Sequence, residues 1–121
     1  MRKSIFLSLA LLLAFTAFAQ DDVKPVGKLM KVEPKTVCMM NEQAMGKEQI
    51  AVEVDGRMYF GCCEMCKKAL AENAEKRSAI DPVSGKKVDK ATAVIAAQEN
   101  GRVFYFENDA NLAKYNQQFE K

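Results

Sequence analysis

The chain has 121 residues, room for one domain or two very small ones, with 18 basic and 16 acidic side chains, four cysteines, seven methionines and no histidine. Loss of Arg2 and Lys3 with a leader would leave 16 charges of each sign, so the balance gives no electrostatic footprint for nucleic acid or an anionic membrane. Without histidine there is no Cys-His or Ser-His pair and no imidazole base, and Glu42, Glu48, Glu53 and Glu75 are scattered as on a solvated face; no enzyme is expected.

In chain order, Arg2 and Lys3 precede the apolar run "IFLSLALLLAFTAF", and Ala17-Phe18-Ala19 offers small residues for cleavage. Residues 1–19 therefore read as a signal peptide, too short for a comfortable membrane span. The expectation is an exported protein, periplasmic or secreted, with no membrane attachment after cleavage. Residues 20–35, with Pro25, Gly27 and Pro34 and no clear period, read as a linker or extended arm. Cys38 follows, then two methionines. Ile50 to Val54 and Arg57 to Gly61 flank Asp55-Gly56, the preferred centre of a type I′ hairpin turn, in which both central residues take positive φ. A helix is expected from Glu64 to about Lys76, with Met65, Cys66, Ala69 and Leu70 on one face. Asp81-Pro82 breaks the chain. "TAVIAAQ", Asn100-Gly101, "RVFYF" and a helix from about Asn108 to Gln118, with Leu112, Tyr115 and Phe119 on one face, then repeat the order.

The two halves are in register. Gly56-Arg57 and Gly101-Arg102 lie 45 positions apart, and at that offset Tyr59 meets Phe104, Phe60 meets Tyr105 and Leu70 meets Tyr115. The expected architecture is α+β, built from two hairpin–helix (ββα) modules at residues 36–78 and 79–121. Units of some 40 residues bury too little to stand alone, so the two should pack together. The repeat does not extend to the thiols: Glu107, Asn108 and Asn111 stand where Cys62, Cys63 and Cys66 do. With one residue of slippage, Val37-Cys38 aligns with Val83-Ser84. A half that keeps the scaffold without cysteines points to ligand binding by the other half's thiols, the apolar core being expected to suffice in the half that lacks them.

The stretch "VCMM…VDGRMYFGCCEMCKKAL" resembles the TRASH domain, whose pattern is one cysteine, a gap of about twenty residues and then Cys-x-x-x-Cys; Cys38, Cys62 and Cys66 fit it, with a gap of 23. "DPVSGKKVD…GRVFYF" is similar to the related YHS domain, which reads Asp-Pro-Val-Cys-Gly-x-x-Val and later Gly-x-x-Tyr-x-Phe-Cys. The chain departs from that pattern at Ser84, Glu107 and Asn111. Together the resemblances span roughly residues 36 to 119. They imply treble-clef-like modules and a role in heavy-metal binding, trafficking, sensing or resistance, with a single site in the first module.

The residues argue for the same chemistry independently. Thiolates select Cu(I), zinc and other soft ions over magnesium or calcium. Cys62 and Cys66 are one turn apart at a helix start, where the dipole should lower thiol pKa values, and Cys38 would close the site from the loop before the hairpin. Three sulfurs suit a trigonal Cu(I) or mercury site, and Cys63 would complete a tetrahedral zinc site. One thiophilic ion, Cu(I) or Zn(II), is expected, with copper favoured by Met39, Met40, Met45, Met58 and Met65. Of these, Met58 and Met65 read as core gap-fillers, whereas Met39 and Met40 read equally as ligands or core. A metal chaperone, buffer or sensor component would have a metal transporter or efflux protein as partner. Two other readings stand beside it. Cys63-Glu64-Met65-Cys66 is a Cys-x-x-Cys of the thiol–disulfide type, although no βαβ pattern precedes it. A structural zinc module serving protein contacts is the third.

Overall fold

The computed structural model describes residues 23–120, and the expected leader lies outside them. β1 (Met30–Val32) comes first, followed by a single 3-10 turn opened by Pro34, whose missing N–H suits a helix start. β2 (Val37–Cys38) pairs with β3 (Gln43–Ala44), β4 (Ile50–Val54) pairs with β5 (Arg57–Gly61), and α1 (Glu64–Glu72) follows. The order then recurs: β6 (Ser78–Ile80) with β7 (Lys87–Asp89), β8 (Val94–Ala97) with β9 (Val103–Phe106), then α2 (Asp109–Gln117). The described residues thus form an α+β fold of two helices and several small antiparallel sheets. The bounds of α1 and α2 differ by the offset of 45 at both ends.

The two hairpins turn differently. Asp55 (φ 52°) and Gly56 (φ 78°) are both left-handed, as a type I′ turn requires. Of Asn100 and Gly101, only the glycine has positive φ, at 90°. Gly101 N–H donates to Gln98 O and Gln98 N–H to Arg102 O, each at 2.9 Å, so this is a longer loop closed by one left-handed glycine. The first helix also stops short of Lys76. Asn73 accepts from Glu75 N–H to open a separate 3-10 turn, and Arg77 reaches back to donate to the Leu70 carbonyl at 2.8 Å. Arg77 thereby satisfies one of the helix's terminal carbonyls.

The arm is extended, and part of it belongs to a sheet. β1 pairs antiparallel with β8, with Lys31 opposite Ala96, giving a three-stranded sheet in the order β1-β8-β9. Asn116 on α2 holds both backbone groups of Leu29 at 2.9 Å, and the Tyr115 hydroxyl donates to Gly27 O. β9 is buried at all four positions. Strand alternation sends Val103 and Tyr105 into one core with Val37, Met39, Val52, Tyr59, Leu70 and Ile95, and Phe104 and Phe106 into another with Leu29, Ala96 and Leu112. The first core draws on both halves. Backbone bonds from Ala44 N–H to Gly101 O and from Val103 N–H to Glu42 O tie β3 and its loop to the second hairpin. Asp89 accepts from the Tyr59 hydroxyl and pairs with Arg57 across the same junction.

The core assignment fails for Met58 and Met65, and of the two readings of Met39 the core one holds. Met65 is 82 % exposed and Met58 43 %, whereas Met39 is fully enclosed in the shared core. Helical periodicity placed Met65 beside Cys66, but α1 presses its Leu70 side onto the sheet and turns Met65 outward. Phe119 likewise lies 43 % exposed, beyond the end of α2, its ring tilted against that of Tyr115 with centroids 5.5 Å apart. No helix among the described residues is long and apolar enough to cross a membrane.

Candidate metal centre

Three segments converge on the sulfurs. The end of β2 supplies Cys38, the residue after β5 supplies Cys62, and the first turn of α1 supplies Cys66. Their Sγ atoms all lie within 4.8 Å of one another, and Cys62 and Cys66 are 3.6 Å apart. Three sulfurs around a centre with metal–sulfur bonds of about 2.3 Å would stand about 4 Å apart. The cluster therefore fits one soft ion with shifts of a few tenths of an ångström. All four cysteines are free thiols, with no bridge among them.

Cys63 sits differently. It is exposed, and its Sγ lies 3.5 Å from that of Cys66, but it is not a member of the mutually close triad. Its backbone occupies the N-cap position of α1, where its side chain makes no cap bond.

The loop is held from several sides. Asn41 donates its backbone N–H to Cys38 Sγ at 3.4 Å and its side-chain Nδ2 to Cys62 Sγ at 3.3 Å, so one residue orients two of the three sulfurs. Met39 N–H donates to Phe60 O at 2.9 Å, fixing the loop against β5. Glu42 adopts a left-handed φ of 56°, uncommon without glycine, and pairs with Lys90 of the second half. Lys90 Nζ is buried, also donates to Met39 O at 2.7 Å and lies 5.1 Å from the centre of the Tyr105 ring. None of Asn41, Glu42 and Lys90 was legible as part of a site, since their sequence spacing to the cysteines carries no motif.

The thiols do not follow the helix-dipole expectation. Burial pushes Cys66 up to about 12, with Cys63 and Cys62 adding to it. Cys62 is raised chiefly by its contact with Cys38. Burial pushes Cys38 up as well, but the N–H groups of Asn41, Met40 and Cys62 outweigh it and leave Cys38 below the ordinary thiol value. Cys63 is lowered by the Cys66 N–H at the start of α1. Crowded thiols cannot all ionise beside one another, so negative charge settles on the sulfur with the best donors. A cation at the centre removes that repulsion.

Gly61 makes the close approach of α1 possible. A methyl group there would meet Cys66 Cβ at 2.8 Å and backbone atoms of Cys66 and Lys67 at 3.2 Å. Its counterpart at offset 45 is Phe106, fully buried, and α2 rests less closely on its hairpin than α1 does. Gly61→Ala is expected to destabilise the protein by about 1–3 kcal/mol through overpacking and to displace Cys66. A shift in the urea midpoint together with weaker metal uptake would show it; an unchanged midpoint would refute the contact.

In the second half a carboxylate stands in place of the sulfur. Asp81 is fully buried, and its Oδ1 accepts from Val83 N–H at 2.6 Å and Ser84 N–H at 3.1 Å. Oδ2 accepts from Glu107 N–H at 2.8 Å and Asn111 Nδ2 at 2.9 Å. Cys38 receives the N–H groups two and three residues on, Met40 and Asn41, and that of Cys62, in the same pattern. Asp81, Glu107 and Asn111 therefore correspond to Cys38, Cys62 and Cys66. The alignment of Cys38 with Ser84 is corrected: the offset in this loop is 43, not 46. The apolar core was expected to suffice in this half, and instead a buried carboxylate closes it.

No family model matches the chain, and neither does any curated protein or solved structure.

Proposed function

We propose that the protein binds one thiophilic metal ion through Cys38, Cys62 and Cys66 and serves outside the cytoplasm as a metal chaperone, buffer or sensor component. The observation that carries this reading is the approach of three free thiols, from segments with 23 residues between them, to within 4.8 Å. Cu(I) is the favoured ion. It accepts three sulfur ligands, whereas structural zinc sites close with four, and the fourth thiol, Cys63, lies outside the triad. Mercury shares the trigonal preference. The recurrence of short hairpin, long hairpin and helix supports reading each half, residues 36–78 and 79–121, as a treble-clef-like module, TRASH-like and then YHS-like. A metal transporter or efflux protein is the partner such a carrier would serve.

Protein purified and loaded with Cu(I) or Zn(II) under reducing conditions is expected to carry one ion per chain by native mass spectrometry. Cys66→Ser is expected to carry none, and a wild type that stays metal-free with either ion overturns the proposal. The dithiol reading draws on the 3.5 Å between Cys63 and Cys66. It requires the metal-free protein to cycle between dithiol and disulfide, which the same spectra register as a loss of two mass units. A zinc module serving contacts alone would bind Zn(II) in preference to Cu(I) and unfold on chelation.

A further inference from the structure

The four sulfurs run from the interior to the surface. Cys38 is fully buried, Cys62 and Cys66 are half-buried and Cys63 is exposed. Cys66 has a sulfur neighbour on each side, Cys62 at 3.6 Å and Cys63 at 3.5 Å. A second observation sets Cys63 apart. It holds the N-cap position of α1 with φ −152° and ψ 171° and makes no side-chain cap bond. Its counterpart Asn108 holds the same position of α2 with φ −160° and ψ 171°, and its Oδ1 accepts from Asn111 N–H at 2.8 Å. A capping side chain fits that backbone, and the first half has a surface thiol there instead.

We propose that Cys63 is the exchange ligand through which the ion passes between the buried triad and a partner chain presenting a pair of thiolates. This rests on the metal-binding reading above. The Cys63–metal bond forms as the Cys38–metal bond breaks. The proton of the Cys63 thiol goes to solvent and Cys38 takes one up, with no change in the oxidation state of the ion. The Cys62–metal bond breaks next, Cys62 taking a proton from solvent, and the ion then sits between Cys63 and Cys66 at the exposed start of α1. There an incoming thiolate bonds to it as Cys66 leaves, and a second as Cys63 leaves, each departing sulfur taking up a proton. Cys66 belongs to both arrangements, so the ion is never released to water.

The test is stopped-flow transfer of Cu(I) from the loaded protein to a peptide carrying a Cys-x-x-Cys pair, beside equilibrium competition for Cu(I) with bicinchoninate. Cys63→Ser is expected to slow transfer at least about tenfold while shifting the competition constant no more than about threefold. Cys63→Asn is expected to slow transfer equally and, by supplying the missing cap, to raise the Tm by about 4 °C. An unchanged transfer rate in both variants overturns the proposal. So does a loss of equilibrium affinity as large as that of Cys66→Ser, which would make Cys63 a resting ligand. A wild type that takes up no Cu(I) overturns the metal-binding reading itself, and this is visible before any transfer is attempted.

Discussion

Asp81→Ala is expected to lose about 3–5 kcal/mol of stability, a large share of what a domain of this size has. The carboxylate is fully buried and accepts four hydrogen bonds, two from its own turn and two from the start of α2. Alanine leaves those donors facing a space without an acceptor, and each unsatisfied buried donor costs about 1–3 kcal/mol before relaxation or water relieves it. The fall in Tm should reach at least about 15 °C in a thermal melt followed by circular dichroism. Asp81→Asn keeps the shape but turns an NH2 toward donors, and should recover less than half of the loss. The sign with pH follows from the same bonds. Burial raises the Asp81 carboxyl, but donation from Asn111, Glu107, Val83 and Ser84 outweighs it and leaves the folded-state value below the ordinary one. Its stabilisation is thus full above the unfolded value of about 3.9 and is lost as pH falls through the lower folded value. The wild type should lose stability steeply below about pH 4, and Asp81→Ala less steeply. Equal acid slopes in the two proteins would show that Asp81 is not the group responsible. Asp89 remains as a second such group in both, held low against its burial by the Ala91 N–H, Tyr59 and Arg57.

Converting Asp81, Glu107 and Asn111 together to cysteine is expected to give a protein that binds two Cu(I) ions instead of one. The three positions correspond to Cys38, Cys62 and Cys66 by backbone pattern, and their side chains already touch: Asn111 Nδ2 lies 2.9 Å from Asp81 and 3.2 Å from Glu107. Without metal the triple variant should melt far below the wild type, because the carboxylate that closes this half is gone. Added Cu(I) should restore most of the difference, since an ion that binds only the folded state stabilises it by about 4 kcal/mol at a thousandfold excess over its Kd. α2 contacts its hairpin less extensively than α1 does, so the new site should be the weaker of the two. A variant that takes up a single ion at saturating Cu(I) would break the proposed correspondence between the halves.

The features legible in the sequence were local or periodic. Asp55-Gly56 announced its turn because both residues tolerate a left-handed backbone, and the 45-residue offset gave both helices, since the repeat of aromatic strand and helix is continuous there. The thiols stood out because three of the four cysteines fall within five positions of a chain without histidine. What escaped was set by long-range contact. Counting residues from Gly101, with one residue of slippage, put Ser84 opposite Cys38; the two loops differ in length, and only the hydrogen bonds identify Asp81 as the counterpart. Periodicity gave Met65 to the core, yet the rotation of α1 about its axis, fixed by Leu70 and the Gly61 approach, points it to solvent. The pairing of β1 with β8 joins residues more than sixty apart and leaves no trace in the composition of the arm. Asn41 and Lys90 act through a loop that only the folded chain closes.

Because β9 carries one core on each face, and Val103 and Tyr105 fill the core behind Met39, the sulfur-free half works as a mould for the other. The segment bearing Cys38 is thus braced by core packing and by hydrogen bonds from the second half that do not involve the thiols. On the proposed reading, such bracing would let the protein give up its cargo and take it up again without passing through an unfolded chain, as a zinc finger cannot.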